Sequence, residues 1–366
     1  MLLVFTVIFV ALLFTYTNGF HDTANAIATV VGTKVLTPRQ AIILATITNL
    51  LGAMVGAAVA KTIASGLVET KLIPAGMASP MLICALLAAI FWNLLTWYFG
   101  LPSSSSHALV GGLCGAAFGA AHGDWHAIIW SKAPELGKHW WAGSGVLYKV
   151  VIPMVISPIF GFLIAFIIMA ALYLSLQKAR PHTVSKLFGT LQLFSSAYMG
   201  FSHGTNDAQK TMGIIALALV AATKAGTFDT LPDWLFFLKT AEPLPGKTLE
   251  IALWIKVLCA LTMAAGTAIG GWRIIKTLGH KLVKLQPVHG FAAETAGATV
   301  LLGTAMLGMP VSTTHVITSS IMGVGAAKRF SALKWPVIER IIWAWIFTLP
   351  VTAVIAYGMV KLVQLF

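Results

Sequence analysis

The stretch His203 to Lys210 reads H-G-T-N-D-A-Q-K and places an Asn, an Asp and a Lys inside an otherwise apolar segment. The flanking residues, 187–202 and 211–222, make the whole stretch long enough to cross a membrane. A charged side chain at the centre of a bilayer costs roughly 2.5 to 3.5 kcal/mol on insertion-based scales, so its presence indicates a functional site. Gly200 and Gly204 precede the charges and predict that the helix opens there, which is tolerated where the backbone is buried in protein or lines a watery cavity.

The same pattern occurs near the start of the chain, where residues 18–26 read N-G-F-H-D-T-A-N-A. In one register, Gly19 aligns with Gly204, Asp22 with Asp207, and Asn25 with Lys210; His21 then aligns with Asn206. We therefore expect a second helix that is interrupted at Asn18 to Asp22.

A second pair of motifs supports the duplication. P-S-S-S-S-H (102–107) and P-V-S-T-T-H (310–315) share a Pro, three hydroxyl positions and a His at identical spacing. Each is preceded by a Gly two residues before the Pro, Gly100 and Gly308. The chain is thus predicted to consist of two related halves, each with an acidic motif followed by a hydroxyl-rich break.

The composition is that of a polytopic membrane protein. Apolar residues make up 58% and charged residues only 10%, whereas charged residues alone make up about 25% of a soluble domain. The net charge of +13 arises mostly from short basic loops, which the positive-inside rule explains without nucleic acid. The three cysteines, Cys84, Cys114 and Cys259, lie in apolar segments without metal-ligand spacing and are interpreted as packing residues.

The hydropathy pattern predicts an all-α fold of two inverted-topology repeats. The first repeat is 1–175, a short basic cytoplasmic linker is 176–186, and the second repeat is 187–366. Each repeat has three crossings and one helical hairpin, and an odd number of crossings inverts the second repeat. The predicted crossings are 2–31, 41–60, 150–174, 187–222, 251–272 and 341–365, and the predicted hairpins are 77–121 and 288–326.

Inverted repeats with discontinuous helices place their substrate and ion sites at the midplane. Asp22 and Asp207 are the predicted cation-coupling residues, because a carboxylate in low dielectric needs Na⁺, a proton or a basic partner. The alternative for Asp207 is a buried ion pair with Lys210 at helical spacing. Lys210 either neutralises Asp207 or binds the anion, and the sequence leaves both open.

Hydroxyl groups and free backbone N–H groups at the start of a helix can converge on an oxyanion. This predicts an anion site formed by Ser104, Ser105, Ser106, Ser312, Thr313 and Thr314. The alternative for any single hydroxyl is a bond to a backbone carbonyl or packing between helices. Asn25 and Asn206 are uncharged ligands suited to an anion or a hydrated cation.

Four histidines lie within or at the ends of the motifs and are candidates for a proton relay or for buried packing residues: His21, His107, His203 and His315. Glu294 is a further acidic residue in an apolar segment, expected to face water near the cytoplasmic end, with a role in cation coupling as the alternative. Four tryptophans are expected to be interfacial anchors: Trp125, Trp130, Trp140 and Trp141.

These motifs resemble those of the inorganic phosphate transporter (Pit) family along essentially the whole chain, and most closely its bacterial low-affinity, proton-coupled branch. The resemblance implies phosphate symport in a bacterial plasma or inner membrane, with Asp22 and Asp207 in cation coupling and the hydroxyl-rich tips in phosphate binding. Sodium-coupled members carry an acidic residue where this chain has Asn49, which favours a proton over sodium. No resident cofactor or metal is implied, and a metal-phosphate substrate and a homo-oligomer stay open.

Three competing functions remain at this point. Relatives of this fold move sulfate, so a symporter of sulfate or another oxyanion is the nearest alternative. An intramembrane hydrolase using Ser and His is disfavoured, because two matching clusters are present and a nucleophile is needed once. An anion channel is disfavoured, because paired carboxylates would repel the permeating anion.

Overall fold

The computed structural model describes residues 1–134, 143–229, 232–240 and 249–366. Twelve α-helices run through these ranges, and no β-strand is formed within them beyond two isolated bridges, Val68 with Ile128 and Lys132 with Ser144. Trp125 and Trp130 are exposed, whereas Trp140 and Trp141 lie outside the described residues.

The two acidic motifs lie on unbroken helices, α1 (Leu2–Gly32) and α7 (Pro181–Lys224). The predicted openings at Asn18 to Asp22 and at Gly200 and Gly204 are therefore wrong. The glycines instead allow backbones to approach: a Cβ on Gly19 would lie 2.6 Å from the carbonyl oxygen of Met263, and one on Gly204 would lie 2.2 Å from that of Asn49.

The breaks fall in the neighbouring helices. α2 (Pro38–Ala53) and α3 (Ala58–Ser65) are bent by 65°, and α8 (Leu253–Ile269) and the segment beginning with α9 (Trp272–Lys276) by 59°. The predicted crossings over 41–60 and 251–272 therefore coincide with bent pairs of helices and not with single continuous helices. Gly56 and Gly270 lie in the two breaks with φ of +80° and +76°, a region that favours glycine. At the first break, Gln209 Oε1 accepts a hydrogen bond from the Val59 N–H at 2.9 Å.

Both hairpins form as predicted. The first pairs α4 (Ala78–Phe99) with α5 (Ser105–Ala120), and the second pairs α10 (Pro287–Met306) with α11 (Thr313–Lys328). The preceding arm ends at Gly100 in one hairpin, and Gly308 lies at the corresponding place in the other; both have positive φ. Ser104 and Ser312 then cap the second arms, accepting hydrogen bonds from the His107 and His315 N–H groups at 3.1 and 3.2 Å.

The turns are held by the bent helices. Thr62 of α3 donates a hydrogen bond to the carbonyl of Gly308 at 2.7 Å. Thr277, just after α9, donates to the carbonyl of Gly100 at 2.9 Å. Each hairpin turn is thus fixed by a residue from the other predicted half of the chain.

The remaining helices are α6 (Ile152–Ser175) and α12 (Trp335–Val363). α6 packs on α11 and α12 packs on α5, so each covers the hairpin of the other predicted half. Among the described residues, four helices are long and apolar enough to cross a membrane, and counting each bent pair as one span makes six. The orientation of each crossing and the division at 176–186 stay predictions.

Candidate functional site

The acidic residues of the two motifs meet inside the protein. Oxygen atoms of Asp22 and Asp207 and a ring nitrogen of His203 all lie within 4.8 Å of one another. Asp22 is 2% exposed and Asp207 is 1% exposed. Two carboxylates this close repel each other in a low dielectric, so the site requires compensating positive charge.

Asp22 is contacted by its own helix and by both hairpin tips. Its Oδ1 lies 2.7 Å from His21 Nδ1. Ser105 of the first hairpin donates to Oδ2 at 2.9 Å, and Thr314 of the second hairpin donates to Oδ1 at 3.3 Å. His21 is held in turn by Thr96, whose hydroxyl lies 3.1 Å from Nε2.

Asp207 has a different set of partners. Its Oδ1 forms an ion pair with Lys210. Its Oδ2 accepts hydrogen bonds from Thr313 at 3.4 Å and from Asn18 at 3.5 Å, and His203 Nε2 lies 3.4 Å away. The buried ion pair considered as an alternative is thus present, and it neutralises one of the two carboxylates.

The amide side chains line the same region. Asn25 donates to the hydroxyls of Thr313 and Thr314 at 3.1 and 2.9 Å, so it bridges α1 to the second hairpin tip. Asn206 is fully buried, and neither its amide nitrogen nor its amide oxygen has a hydrogen-bond partner among the described residues. A buried polar group without a partner costs about 1–3 kcal/mol, so these atoms are suited to contact a bound ligand.

The chain is similar to known proteins along nearly its whole length. The family model described as "Phosphate transporter family" matches residues 18–183 and 173–356. This chain belongs to the phosphate transporter family. The family is one of transporters, so the function is transport and not catalysis, and the chain is a multi-pass membrane protein.

Two similar proteins are named as probable low-affinity inorganic phosphate transporters. One, from Bacillus subtilis (strain 168), is 41% identical over 367 residues, covering 99% of each chain. The other, from Mycobacterium tuberculosis (strain ATCC 25618 / H37Rv), is 38% identical over 99% of this chain and 78% of its own. A solved structure, "The sodium-dependent phosphate transporter", matches with a TM-score of 0.80 at 23% identity over 100% of both chains, which shows the shared fold.

The hydroxyl groups of this phosphate transporter family member divide into two kinds. Ser105, Thr313 and Thr314 reach the carboxylates, and Ser106 contacts Lys210. Ser104 and Ser312 cap their own helices. The hairpin tips therefore bring the predicted hydroxyl cluster together, and two of its members, Ser104 and Ser312, accept hydrogen bonds from backbone N–H groups.

The four motif histidines form two groups in the transporter. His21 and His203 contact the carboxylates. His107 and His315, one from each hairpin, pack ring to ring with centroids 4.6 Å apart, and His315 also stacks on Trp345 at 3.9 Å. The sequence shows that all four lie at the motifs, but no local pattern predicts that two of them contact carboxylates and the other two pack against each other.

Glu294 lies elsewhere in the transporter. It is completely buried, so the prediction that it faces water is wrong. Thr29 donates to its Oε1 at 2.6 Å, Gln192 to the same oxygen at 3.0 Å, and Ser195 to its Oε2 at 2.5 Å. Three donors from α1 and α7 thus satisfy a carboxylate carried by α10.

Some site residues of the transporter are missed by the sequence reasoning. Asn18, a donor to Asp207, lies inside the first motif and its amide could have been noted there. Thr96 reaches the site only because the hairpin folds back on α1, which no local pattern shows. The sequence identifies Asn49 only as a neutral residue, and the structure places its side-chain oxygen 2.9 Å from His203 Nδ1.

Proposed function

We propose that this transporter moves inorganic phosphate across the membrane together with a cation, and that the cation is a proton rather than sodium. The observation that carries the proposal is the convergence of both hairpin tips on Asp22 and Asp207, in a chain of the phosphate transporter family. An anion site beside two carboxylates needs positive charge whenever the anion enters. Binding of the anion and of the cation is therefore linked.

We assign phosphate binding to the hairpin tips and the two amides. The starts of α5 and α11 supply backbone N–H groups and the positive ends of helix dipoles. The hydroxyls of Ser105, Thr313 and Thr314 lie at these ends. Ser104, Ser106 and Ser312 belong to the same tips. The amide of Asn206, which has no hydrogen-bond partner in the described part of the chain, adds donors for phosphate oxygens together with Asn25.

We assign cation coupling to Asp22 and Asp207. Two features favour a proton. Asn49 places a neutral amide against His203, at the position where the resemblance implies an acidic residue in sodium-coupled members. His21 and His203 each lie next to one carboxylate, so a proton has neighbouring acceptors in this site. His107 and His315 are further candidates for a relay between the hairpins.

A metal-phosphate complex is a candidate form of the substrate. Asp22, His203 and Asp207 offer ligand atoms within 4.8 Å of one another, a grouping that a divalent cation can bind. The metal ion would then be cargo, bound between the carboxylates and the phosphate.

The burial of both carboxylates favours a carrier over a channel. At 2% and 1% exposure, Asp22 and Asp207 have almost no contact with solvent. Movement of phosphate past them requires the surrounding helices to rearrange, as in alternating access of two repeats.

The test is uptake of labelled phosphate by purified protein in proteoliposomes under imposed proton or sodium gradients. We expect accumulation above equilibrium with an inward proton gradient, no accumulation with a sodium gradient alone, and little inhibition by excess sulfate. Uptake with and without a divalent cation, the latter with a chelator, tests the metal-phosphate form. Downhill flux that neither gradient can drive uphill would exclude symport and favour a channel.

A further inference from the structure

We propose that Lys210 is a tethered cation, which permanently occupies one of two equivalent cation positions and leaves the position at Asp22 as the one that exchanges cations with solution. The inference rests on the proposed function and adds to it the number of exchangeable cations. It follows from the oxygen atoms around Lys210 and from the different residue at the equivalent place in the first motif.

The ammonium group of Lys210 is surrounded by oxygen atoms of three kinds. It contacts a carboxylate oxygen of Asp207 and the hydroxyl of Ser106, and it lies 3.2 Å from the carbonyl oxygen of Val311. An ammonium group has three N–H donors, and these three acceptors engage all of them. No donor is then left for phosphate.

This oxygen set is what a small cation binds. Carboxylate, hydroxyl and backbone carbonyl oxygens are the ligands of hard cations, and carbonyls of non-helical backbone coordinate coupling ions in transporters with broken helices. Val311 lies in the non-helical turn before α11. Lys210 is 1% exposed, so its charge is a fixed part of the interior.

The duplicated motifs define the equivalent position in the first half. Asp207, Ser106 and Val311 correspond there to Asp22, Thr314 and Ser103. Thr314 donates directly to Asp22 at 3.3 Å, whereas its counterpart Ser106 contacts Lys210. The two turns also match, because the N–H of Ser103 donates to the carbonyl of Leu101 at 2.9 Å and that of Val311 donates to Met309 at 2.8 Å.

The difference lies in the residue that completes each position. Lys210 aligns with Asn25, which is neutral and donates to Thr313 and Thr314 instead of to a carboxylate. Asp207 therefore has a fixed positive partner, the ammonium group of Lys210, and Asp22 has no such partner among the described residues. Asp22 has His21, Ser105 and Thr314 as partners, and only His21 can itself become charged. We infer that a monovalent cation from solution, proposed above to be a proton, completes the Asp22 position.

The decisive variant is Lys210→Asn, which makes the second motif like the first. Phosphate uptake into proteoliposomes is measured at a series of imposed cation gradients, and the phosphate gradient at which net flux vanishes gives the cation-to-phosphate ratio. We expect the ratio of Lys210→Asn to exceed that of wild type by one, since a second cation must now enter. Lys210→Arg keeps a tethered charge and is expected to retain the wild-type ratio. Separate proton and sodium gradients identify the cation.

An unchanged ratio in an active Lys210→Asn variant overturns the proposal. If that variant does not transport, its unfolding temperature in detergent is measured against Na⁺ concentration, with choline as the balancing cation, and against pH. We expect a saturable cation-dependent stabilisation larger than that of wild type, in which only the Asp22 position takes up a cation, and a stabilisation no larger than that of wild type overturns the proposal. Failure of wild type to take up phosphate would instead overturn the proposed function, while the stability comparison still tests Lys210.

Discussion

At the scale of single residues, Asp207 and Asp22 occupy related places in the sequence but have different surroundings. Asp207 is paired with Lys210, and Asp22 is held by His21 and two hydroxyls. Removing one member of a buried ion pair costs about 3–5 kcal/mol, because it leaves the other charge buried and uncompensated. The two carboxylates should therefore respond differently to the same substitution.

Asp207→Asn is expected to lower the free energy of unfolding by about 3–5 kcal/mol because it leaves the Lys210 ammonium without its counter-ion. Asp22→Asn, which leaves no fixed cation unpaired, should cost clearly less. The double variant Asp207→Asn with Lys210→Met should recover most of the loss. Denaturation in detergent measures all three, and equal losses for the two single variants would contradict the assigned ion pair.

Asp22→Asn is expected to abolish cation-driven phosphate accumulation while the protein stays folded, because an amide is not protonated near neutral pH and has no negative charge to balance a cation. Uptake against a gradient measures this, with size-exclusion elution as the check on folding. Asp124→Asn is the matched control, since Asp124 lies on the loop after α5 with its side chain 43% exposed. Gradient-driven accumulation by Asp22→Asn at the wild-type level would remove Asp22 from the coupling site.

At the scale of elements, close contact between helices positions the acidic motifs. Gly19 brings α1 against α8, and Gly204 brings α7 against α2. Because these contacts are between backbone atoms, no side chain can move aside to make room for an added methyl group. The geometry of the carboxylate pair thus depends on residues that have no charge.

Gly204→Ala is expected to destabilise the protein by about 1–3 kcal/mol, the usual cost of overpacking, because the new Cβ would lie 2.2 Å from the Asn49 carbonyl oxygen. Gly189→Ala in the same helix is the control, since nothing lies within 4 Å of its Cβ. There the change should stabilise the helix by about 0.5–1 kcal/mol. Thermal unfolding distinguishes the two, and a neutral Gly204→Ala would show that the helices separate easily.

The hairpin caps provide another test at this scale. Ser312→Ala removes the acceptor for the His315 N–H and should cost about 1 kcal/mol of stability. Ser312→Thr retains an acceptor and should cost much less. The two variants are compared by chemical denaturation, and an equal loss in both would mean that side-chain size at the tip, and not the cap, decides the effect.

At the scale of the whole molecule, the two predicted halves are interlocked. A Cβ on Gly115 of α5 would lie 2.0 Å from the carbonyl oxygen of Ala353 in α12, and one on Gly323 of α11 would lie 2.2 Å from that of Phe162 in α6. Each hairpin is therefore packed against the last helix of the opposite half. Each half therefore buries part of its apolar surface only against the other half.

We expect fragments 1–175 and 187–366 to be unstable when expressed separately and to copurify when expressed together, because their shared surface forms most of the interior. Copurification and phosphate uptake by the pair measure this. A split between Leu101 and Pro102, inside a hairpin turn, is the control and should give no active pair. A monodisperse, folded fragment 1–175 on its own would contradict the interlocked arrangement.

The sequence by itself determined the membrane class, both hairpins and the importance of the duplicated motifs, because hydropathy and motif spacing are local properties of the chain. It also identified Asp22, Asp207 and the tip hydroxyls as candidates, since a charge or a hydroxyl cluster in an apolar segment is visible without a structure.

Only the tertiary structure decided where helices bend and which charges compensate one another. Gly19 and Gly204 pack helices closely, whereas the bends occur where Gly56 and Gly270 adopt positive φ. The partners of Lys210 and the burial of Glu294 come from segments far apart in the chain. Such contacts depend on which helices meet, and a glycine or a carboxylate looks the same in the sequence whichever neighbour the fold gives it.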